Sequence, residues 1–396
     1  MLKKVDPIAL ARDQLAADRT IDRTAKGLFA VKRARMSASA FAFLRGSAAI
    51  FYRLLRGSPE LARGPAGNAW LTGDLHVQNF GAYRTDDASS GETRVVFGPN
   101  DFDEACVGPV RLDVLRLSVS WLLALDERGM LAENRVDSCR ALLEGWTLGA
   151  FGARATMREP EPVRRLVAKV AARTKQSMHR AYTCAKGGRR TLLRDDRLWP
   201  VSRAVQTQVR AAFERYATHT CTRHDIEKDH MVVLDVARRV AGTGSLGAER
   251  FAVLAAGGVH GEWLFDLKEE SATSASGLPA AGLTAAARVV RGIETSAPAP
   301  PRMLGTTKMG ALSMLVRRLS PQEDKLDPGE VETSELGGLA HYVGWLAGRM
   351  HRRGAVGSLG RGWTEADRRA MRERAITLAG IHESMHLAYV SFSQGR

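Results

Sequence analysis

Cysteine is scarce: four residues in 396, Cys106, Cys139, Cys184 and Cys221, with no C-x-x-C pair, which excludes both a structural zinc framework and a disulfide scaffold. Long hydrophobic runs are absent too. The longest uncharged apolar stretch, Leu117–Leu125, falls well below the roughly 18 residues that read as a membrane span. Met1 to Asp6 is charged and leads into the polar segment Arg12–Arg23, without the apolar core of a secretory signal, so a reducing cytoplasm is the expected setting. There is no internal repeat, and low complexity is confined to the Pro/Ala linker Ser296–Pro301. With 44% hydrophobic and 26% charged residues, disordered, collagenous and coiled-coil classes are excluded. The length fits two domains or one large bilobal one.

What the chain has in excess is positive charge. Lysine and arginine number 58 against 43 acidic residues, a formal +15 that attracts anions of any kind. The densest basic stretch, Arg158 to Arg194, holds eleven lysines and arginines against Glu159 and Glu161. It lacks the interleaved Phe or Trp that stack on bases, and Val163, Leu166, Val167 and Val170 recur at helical spacing. A solvated helix face is the first reading of this stretch, and a contact with nucleic acid or another polyanion the second.

Residues 1–36 carry no strong element signal. Ser37 or Ser39 is placed to cap one helix running through Phe41, Leu44, Phe51 and Leu55. A short strand at Ala69–Leu71 follows, then a hairpin across 80–98, then a mostly helical region from Val110 to about Leu193. After His230 the chain turns β-branched, and three strands are expected: one entering Gly242, one through Arg250–Leu254 and one through Trp263–Lys268, with Gly257-Gly258 as the turn between the last two. Thr284–Glu294 is expected as a helix, Ala311–Leu319 as a strand, and Leu339–His351 and Glu365–Leu387 as helices. The resulting class is α+β.

Two clusters carry chemistry. The first is Gly73-Asp74-Leu75-His76-Val77-Gln78-Asn79-Phe80-Gly81, followed after a strand by Asn100-Asp101-Phe102-Asp103-Glu104-Ala105. An Asp and an Asn five residues apart on a tight loop, with a further Asp after the next strand, is an arrangement used in phosphoryl transfer. Asp74 would accept or orient the proton of a substrate hydroxyl. Asn79 and Asp101 would supply hard oxygen ligands to magnesium, with Asp103 and Glu104 competing for the last role. Read without function, Asp74 and Asn79 would simply cap turns. His76 is expected to stabilise the loop.

The second cluster is Gly242-Thr243-Gly244-Ser245-Leu246-Gly247, two strands before Lys268. A dinucleotide fold needs a helix opening at the third glycine, whereas a hairpin follows here. A glycine-rich loop between strands, with a lysine on the third strand reaching the phosphates of ATP, is the kinase alternative. Glu294 is the candidate helix partner for Lys268, with Glu269 and Glu270 as alternatives.

Together with Gly108-Pro109-Val110-Arg111-Leu112-Asp113, these residues resemble the bacterial domain-of-unknown-function-2252 family over most of the chain. They are similar as well to aminoglycoside phosphotransferases and choline kinases, with their H-G-D-x-x-x-x-N loop, I-D-F-D-D-A turn and G-P-x-x-x-D segment. The resemblance implies a protein-kinase-like bilobal fold using ATP and Mg2+, with Asp74 as base, Asn79 and Asp101 as metal ligands, and Asp113 as a brace for the loop. Thr72 stands where those kinases usually carry His. The order of parts also differs, since Gly242, Gly244, Ser245, Gly247 and Lys268 follow the catalytic loop instead of preceding it. A circular permutation accounts for that order: a helix-rich catalytic lobe over 1–225, a small antiparallel-sheet lobe over 226–330 that cradles nucleotide, and C-terminal helices over 331–396 that pack on the catalytic lobe.

Overall fold

In a computed structural model, the described residues are 6–394 apart from 87–92, 153–155, 187, 259–260, 276–281, 302 and 321–322. The chain opens with helix α1 (Pro7–Arg19), started by Pro7 and by the Asp6 side chain accepting from the Ile8 amide at 2.9 Å. Helix α2 (Leu28–Ser37) follows. The sequence reading assigned neither, and the reason is chemical. Part of their buried face is polar: Asp18 accepts from Gln14 at 2.8 Å and from the Tyr389 hydroxyl at 2.9 Å, and pairs with Lys32 at 2.8 Å. Buried polar residues in apolar positions erase the hydrophobic period that marks a helix.

The helix expected across residues 39–55 is two, α3 (Ala40–Arg45) and α4 (Ala48–Gly57), with Ser39 capping the first through the Ala42 amide. Strand β1 (Asn68–Leu71) leads to the Gly73–Asn79 loop, and β2 (Phe80–Asp86) and β3 (Thr93–Pro99) form the expected hairpin. Strand β4 (Cys106–Pro109) returns to pair with β1. Helices α5 (Arg111–Glu127), α6 (Ala132–Phe151), α7 (Glu161–Ala171) and α8 (Lys175–Tyr182) follow. The region read as helical to Leu193 ends in a small hairpin, β5 (Thr183–Lys186) with β6 (Arg189–Leu192).

Next come β7 (Leu198–Trp199), the long α9 (Arg203–His224), β8 (Val233–Arg239), β9 (Arg250–Gly258) and β10 (Gly261–Glu270). The β9 strand continues through Gly257 and Gly258, and Gly258 pairs with Gly261, so the turn falls beyond the two glycines, outside the described residues. Helix α10 (Ala285–Ser296), strands β11 (Gly305–Met309), β12 (Leu312–Arg318) and β13 (Glu323–Lys325), and helices α11 (Leu336–Arg353) and α12 (Glu365–Ser393) complete the chain. The strand expected at 311–319 is therefore β12, with an additional partner in β11.

The protein is α+β, and all pairs between the strands above are antiparallel. Six strands form one sheet in the order β11-β12-β10-β9-β8-β7, and β13 joins the β2–β3 hairpin in the order β13-β2-β3. The period of two in a strand divides the large sheet cleanly. Phe251, Val253, Phe265, Leu267 and Val316 pack into the core shared with Val209, Phe213 and Tyr216 of α9, while Arg250, Asp266, Lys268 and Arg317 alternate with them. No helix among the described residues is long and apolar enough to cross a membrane.

The main core joins both ends of the chain, from Leu10 to Tyr389, around the buried helix α5. Its tightest crossing is α6 on α11. A Cβ on Gly145 would overlap the carbonyl oxygen of His341, and one on Gly344 would overlap that of Leu142; Gly149 and Gly348 are as confined. Gly344→Ala is therefore expected to destabilise by at least about 2 kcal/mol through overpacking. Gly380, on α12, has open space around it. Gly380→Ala should stabilise by about 0.5–1 kcal/mol, the usual helix-propensity gain. Equal denaturation midpoints for the two variants would contradict this packing.

Candidate functional site

The loop after β1 is held from below by one carboxylate. Asp113, in the first turn of α5 and fully buried, accepts from the Thr72 amide at 2.8 Å, the Thr72 hydroxyl at 3.2 Å and the Gly73 amide at 3.1 Å. Its Oδ2 also meets His351 Nε2 at 3.1 Å. Trp146 Nε1 donates to the other ring nitrogen of that histidine at 2.9 Å. An indole N–H can only donate, so Nδ1 accepts and Nε2 carries the proton given to Asp113. Thr72, which departs from the kinase pattern, thus hydrogen-bonds the brace directly, and a histidine from α11 reaches the same carboxylate. Gly73 needs its glycine: φ is +76°, and a Cβ would overlap the Glu104 carbonyl.

Asp74 follows. Its Oδ1 accepts from Arg116 Nε at 2.6 Å, and Arg116 Nη2 completes the ion pair. Arg116 is fully buried one turn beyond Asp113, with its guanidinium 4.8 Å from the Phe51 ring centroid. The Asp74 side chain is 22% exposed, and Oδ2 makes no hydrogen bond among the described residues. Burial raises its pKa to about 7; Arg116 opposes the rise, and the charges of Glu104 and Asp101 add to it. A carboxyl near 7 is matched to proton transfer at neutral pH. Asn79 donates its amide to the Asp74 carbonyl at 2.7 Å, which fixes the orientation of the amide and leaves Oδ1 buried without a partner. His76 packs edge-on to Phe41 at 6.3 Å and is held well below the usual histidine range by burial and by neighbouring Arg45.

The acidic turn after β3 sorts its three carboxylates. Glu104 accepts from the Ser274 amide at 2.6 Å and the Thr273 hydroxyl at 2.9 Å, so it anchors the chain beyond β10. Asp103 pairs with Lys268, and the Lys268 charge with nearby Arg250 keeps its pKa below the ordinary value despite burial. Asp101 makes no hydrogen bond through its carboxylate among the described residues, and burial and the Asp103 charge raise its pKa against the pull of Lys325, Lys268 and Arg317. An orphaned amide oxygen and a weakly engaged carboxylate are hard donors of the type magnesium takes, and Asp103 is a third. Mg2+ keeps several waters, so so small a set suits it. Among the described residues no group of three or more His, Cys, Asp and Glu forms a metal cluster.

Lys268 and Asp101 line one cavity of about 640 Å3, together with Asp103, Gly242 and Ser245. Asp74 and Asn79 do not line it. Gly242 (φ +76°) is tied down by Arg35, which donates to its carbonyl; Gly247 (φ +106°) packs on Ile21, and its carbonyl accepts from Thr24 at 2.6 Å. Gly244 lies against the Arg45 carbonyl. The glycine loop is therefore clamped by the N-terminal helices.

Glu294 is not the partner of Lys268. It is exposed, off the face of α10 that buries Val289, Gly292 and Ser296, and it approaches Arg223 at 3.9 Å. Glu270 takes the position instead, 3.3 Å from the Lys268 ammonium, while Glu269 accepts from the Glu249 amide. The Lys268 pKa is lowered by burial and raised by Asp103 and Glu270, with a net rise. Glu270 is held well above the carboxylate range by burial and by Asp103.

Sequence reasoning missed Arg116, His351 as a latch, and a guanidinium cluster around Asp266. Asp266 is contacted by Arg250 at 2.5 Å, by Arg239 at 3.0 Å and by Arg317, directly across the strand pair, at 3.6 Å. The lone signal was the alternation of charged with apolar residues along β9, β10 and β12. In the 158–194 stretch, Arg164, Arg165, Arg173, Arg190 and Arg194 are ion-paired, to Glu161, Glu335, Asp324, Glu262 and Asp235.

Residues 23–392 match the family described as "Uncharacterized protein conserved in bacteria (DUF2252)". The chain belongs to that family. No curated protein and no solved structure matches it.

The pKa directions at Lys268 separate its two partners. Burial and the Asp103 charge push Glu270 toward its neutral form, so Glu270→Gln, which keeps its hydrogen-bonding shape, should cost less than about 1 kcal/mol. Lys268→Met removes the partner of an ionised Asp103 and should cost more than about 2 kcal/mol, below the 3–5 typical of fully buried pairs because Asp103 is a third exposed. Chemical denaturation at pH 7 measures both, and a larger loss for Glu270→Gln would reverse the assignment.

Proposed function

We propose that this protein is a kinase-like phosphotransferase that moves a phosphoryl group from magnesium ATP to an acceptor hydroxyl, through a circularly permuted bilobal arrangement. The carrying observation is the shared cavity: Lys268 from the six-stranded sheet meets Asp103, with Asp101 lining the same space, across 165 residues of sequence. In this reading residues 1–225 form the catalytic lobe, 226–330 cradle the nucleotide and 331–396 pack on the catalytic lobe.

Asn79, Asp101 and Asp103 would hold magnesium, which when bound neutralises phosphate charge. The acceptor oxygen forms a bond to the γ-phosphorus as the bond from that phosphorus to the β,γ-bridging oxygen breaks. Asp74 receives the hydroxyl proton, and ADP departs with the bonding electron pair. Arg116 holds Asp74 Oδ1 and so orients the carboxylate. Lys268, and Gly242 and Ser245 of the glycine loop, position the phosphates. Transfer of the nucleotidyl group would use the same residues with the nucleotide reversed. A non-catalytic nucleotide-binding module is the second reading, and it draws on the fact that Asp74 and Asp103 are each already ion-paired.

ATP is expected to raise the melting temperature only with Mg2+ or Mn2+, by an amount that follows mass action, about 2.7 kcal/mol at one hundred times Kd. An equal shift in EDTA would remove the metal roles. Asp74→Asn should retain nucleotide binding and lower ADP formation by about 10²–10⁴-fold. Wild-type protein that binds Mg-ATP yet releases neither ADP nor pyrophosphate across an acceptor panel would favour the binding module.

A further inference from the structure

Three cations beside the candidate metal site have unfilled hydrogen-bonding capacity. Arg317 reaches Asp266 and Glu323 only at 3.6 and 3.8 Å, beyond hydrogen-bond range, and donates no hydrogen bond among the described residues. Lys325 makes no ion pair or hydrogen bond through its ammonium with any described residue, and Arg45, stacked 5.6 Å over Phe41, has a buried Nε without a partner. The three act on one another and on Asp101: Lys325 feels Asp101, Arg45 and Arg317, and Arg45 feels both Asp74 and Asp101. Lys325 and Arg317 line the cavity.

Lys325 and Arg317 come to the cavity from different sheets: Arg317 lies on β12, which pairs with the β10 strand of Lys268. Lys325 belongs to β13, which pairs with the catalytic hairpin, and it stands opposite Gly81, two residues past Asn79. Arg173 holds that strand in place, donating to the Glu323 carbonyl at 2.7 Å and pairing with Asp324. Lys325 thus reaches the cavity from the β13-β2-β3 sheet, whose strand β2 begins just after Asn79, and not from the sheet that carries Lys268. Guanidinium and ammonium groups with free donors lining one cavity are receptors for phosphate or carboxylate.

We propose that the acceptor is an anionic small molecule, whose phosphate or carboxylate group is bound by Lys325 and Arg317, with Arg45 adding charge beside Asp74. This rests on the phosphotransferase reading and narrows it: neutral sugars and amino-alcohol acceptors are disfavoured, since a cationic or neutral group would leave these donors unmet.

The test is calorimetric, on the full chain saturated with Mg2+ and a non-hydrolysable ATP analogue. Inorganic phosphate and succinate are the probes, and glycerol is the neutral control. Both anions, or phosphate alone, should bind the loaded protein, the second result assigning a phosphorylated acceptor. Lys325→Ala should weaken that binding about tenfold or more, Lys325→Arg should restore it to within about threefold, and analogue affinity should stay within about threefold of wild type. If Lys325→Ala fails to fold, Arg317→Gln serves in its place. Analogue binding with no anion binding, or with anion binding indifferent to both substitutions, overturns the proposal and leaves the nucleotide site intact. Anion binding that depends on Lys325 in a protein that does not bind the analogue overturns the phosphotransferase reading instead.

Discussion

The candidate site depends on the burial of one carboxylate, Asp113. A fully buried carboxylate is costly unless its lone pairs meet donors, and here the donors come from two distant parts of the chain: the Thr72–Gly73 segment, through both amides and the Thr72 hydroxyl, and His351. The arrangement is only as precise as the element that delivers His351. That element, α11, lies close enough to α6 for Trp146 to donate to the histidine because glycine occupies both sides of the crossing. Helix packing in the core and loop geometry at the surface are therefore one problem. Arg116, one turn along α5 from Asp113, extends the same logic to Asp74, so a single helix sets both the position of the loop and the orientation of the carboxylate it presents.

The six-stranded sheet solves a different problem, that of holding positive charge in a dry interior. Lys268 is answered by Asp103 and Glu270, and the neighbouring Asp266 answers the arginines on the same face. With three arginines around it, Asp266 is held well below the usual carboxylate range, burial notwithstanding, by Arg239, Arg250 and Arg317. Replacing such a cluster with apolar residues is often neutral or stabilising in proteins generally, so stability alone is a weak reason for its presence. Its position on the cavity-facing alternate residues of β9, β10 and β12, opposite the apolar set that packs on α9, is the stronger reason to connect it with ligand binding.

Legibility in the sequence followed the range of the interactions involved. Strands β1, β2, β3, β9 and β10 were readable because local alternation and turn residues determine them, and Asp74, Asn79, Asp101 and Lys268 stood out because loop motifs are local in sequence. Helices α1 and α2 were hidden by buried polar residues such as Asp18 and Lys32, which satisfy each other only after folding. The partner of Lys268 was misjudged for the same reason. Choosing between Glu294 and Glu270 requires knowing which face of α10 is buried, and nothing within either segment carries that information. Lys325 had no local signature at all: three residues of strand acquire their meaning only by pairing with β2.

The overall positive charge looks different once the pairs are known. From the sequence, the Arg158–Arg194 stretch is the obvious place for an anion, yet five of its arginines are already matched to acidic residues from four other elements, from their own helix, or both. Paired surface charges of this kind add little attraction beyond a Debye length. At the candidate site the cations with open donors include Lys325 and Arg317, which line the cavity, and Arg45, whose buried Nε has no partner among the described residues. Net charge thus indicates that the protein is suited to anions, while Lys325 and Arg317 mark a place for one in the cavity between the β2–β3 hairpin and the large sheet. The acidic turn after β3 and Lys268 share that cavity although 165 residues separate Asp103 from Lys268.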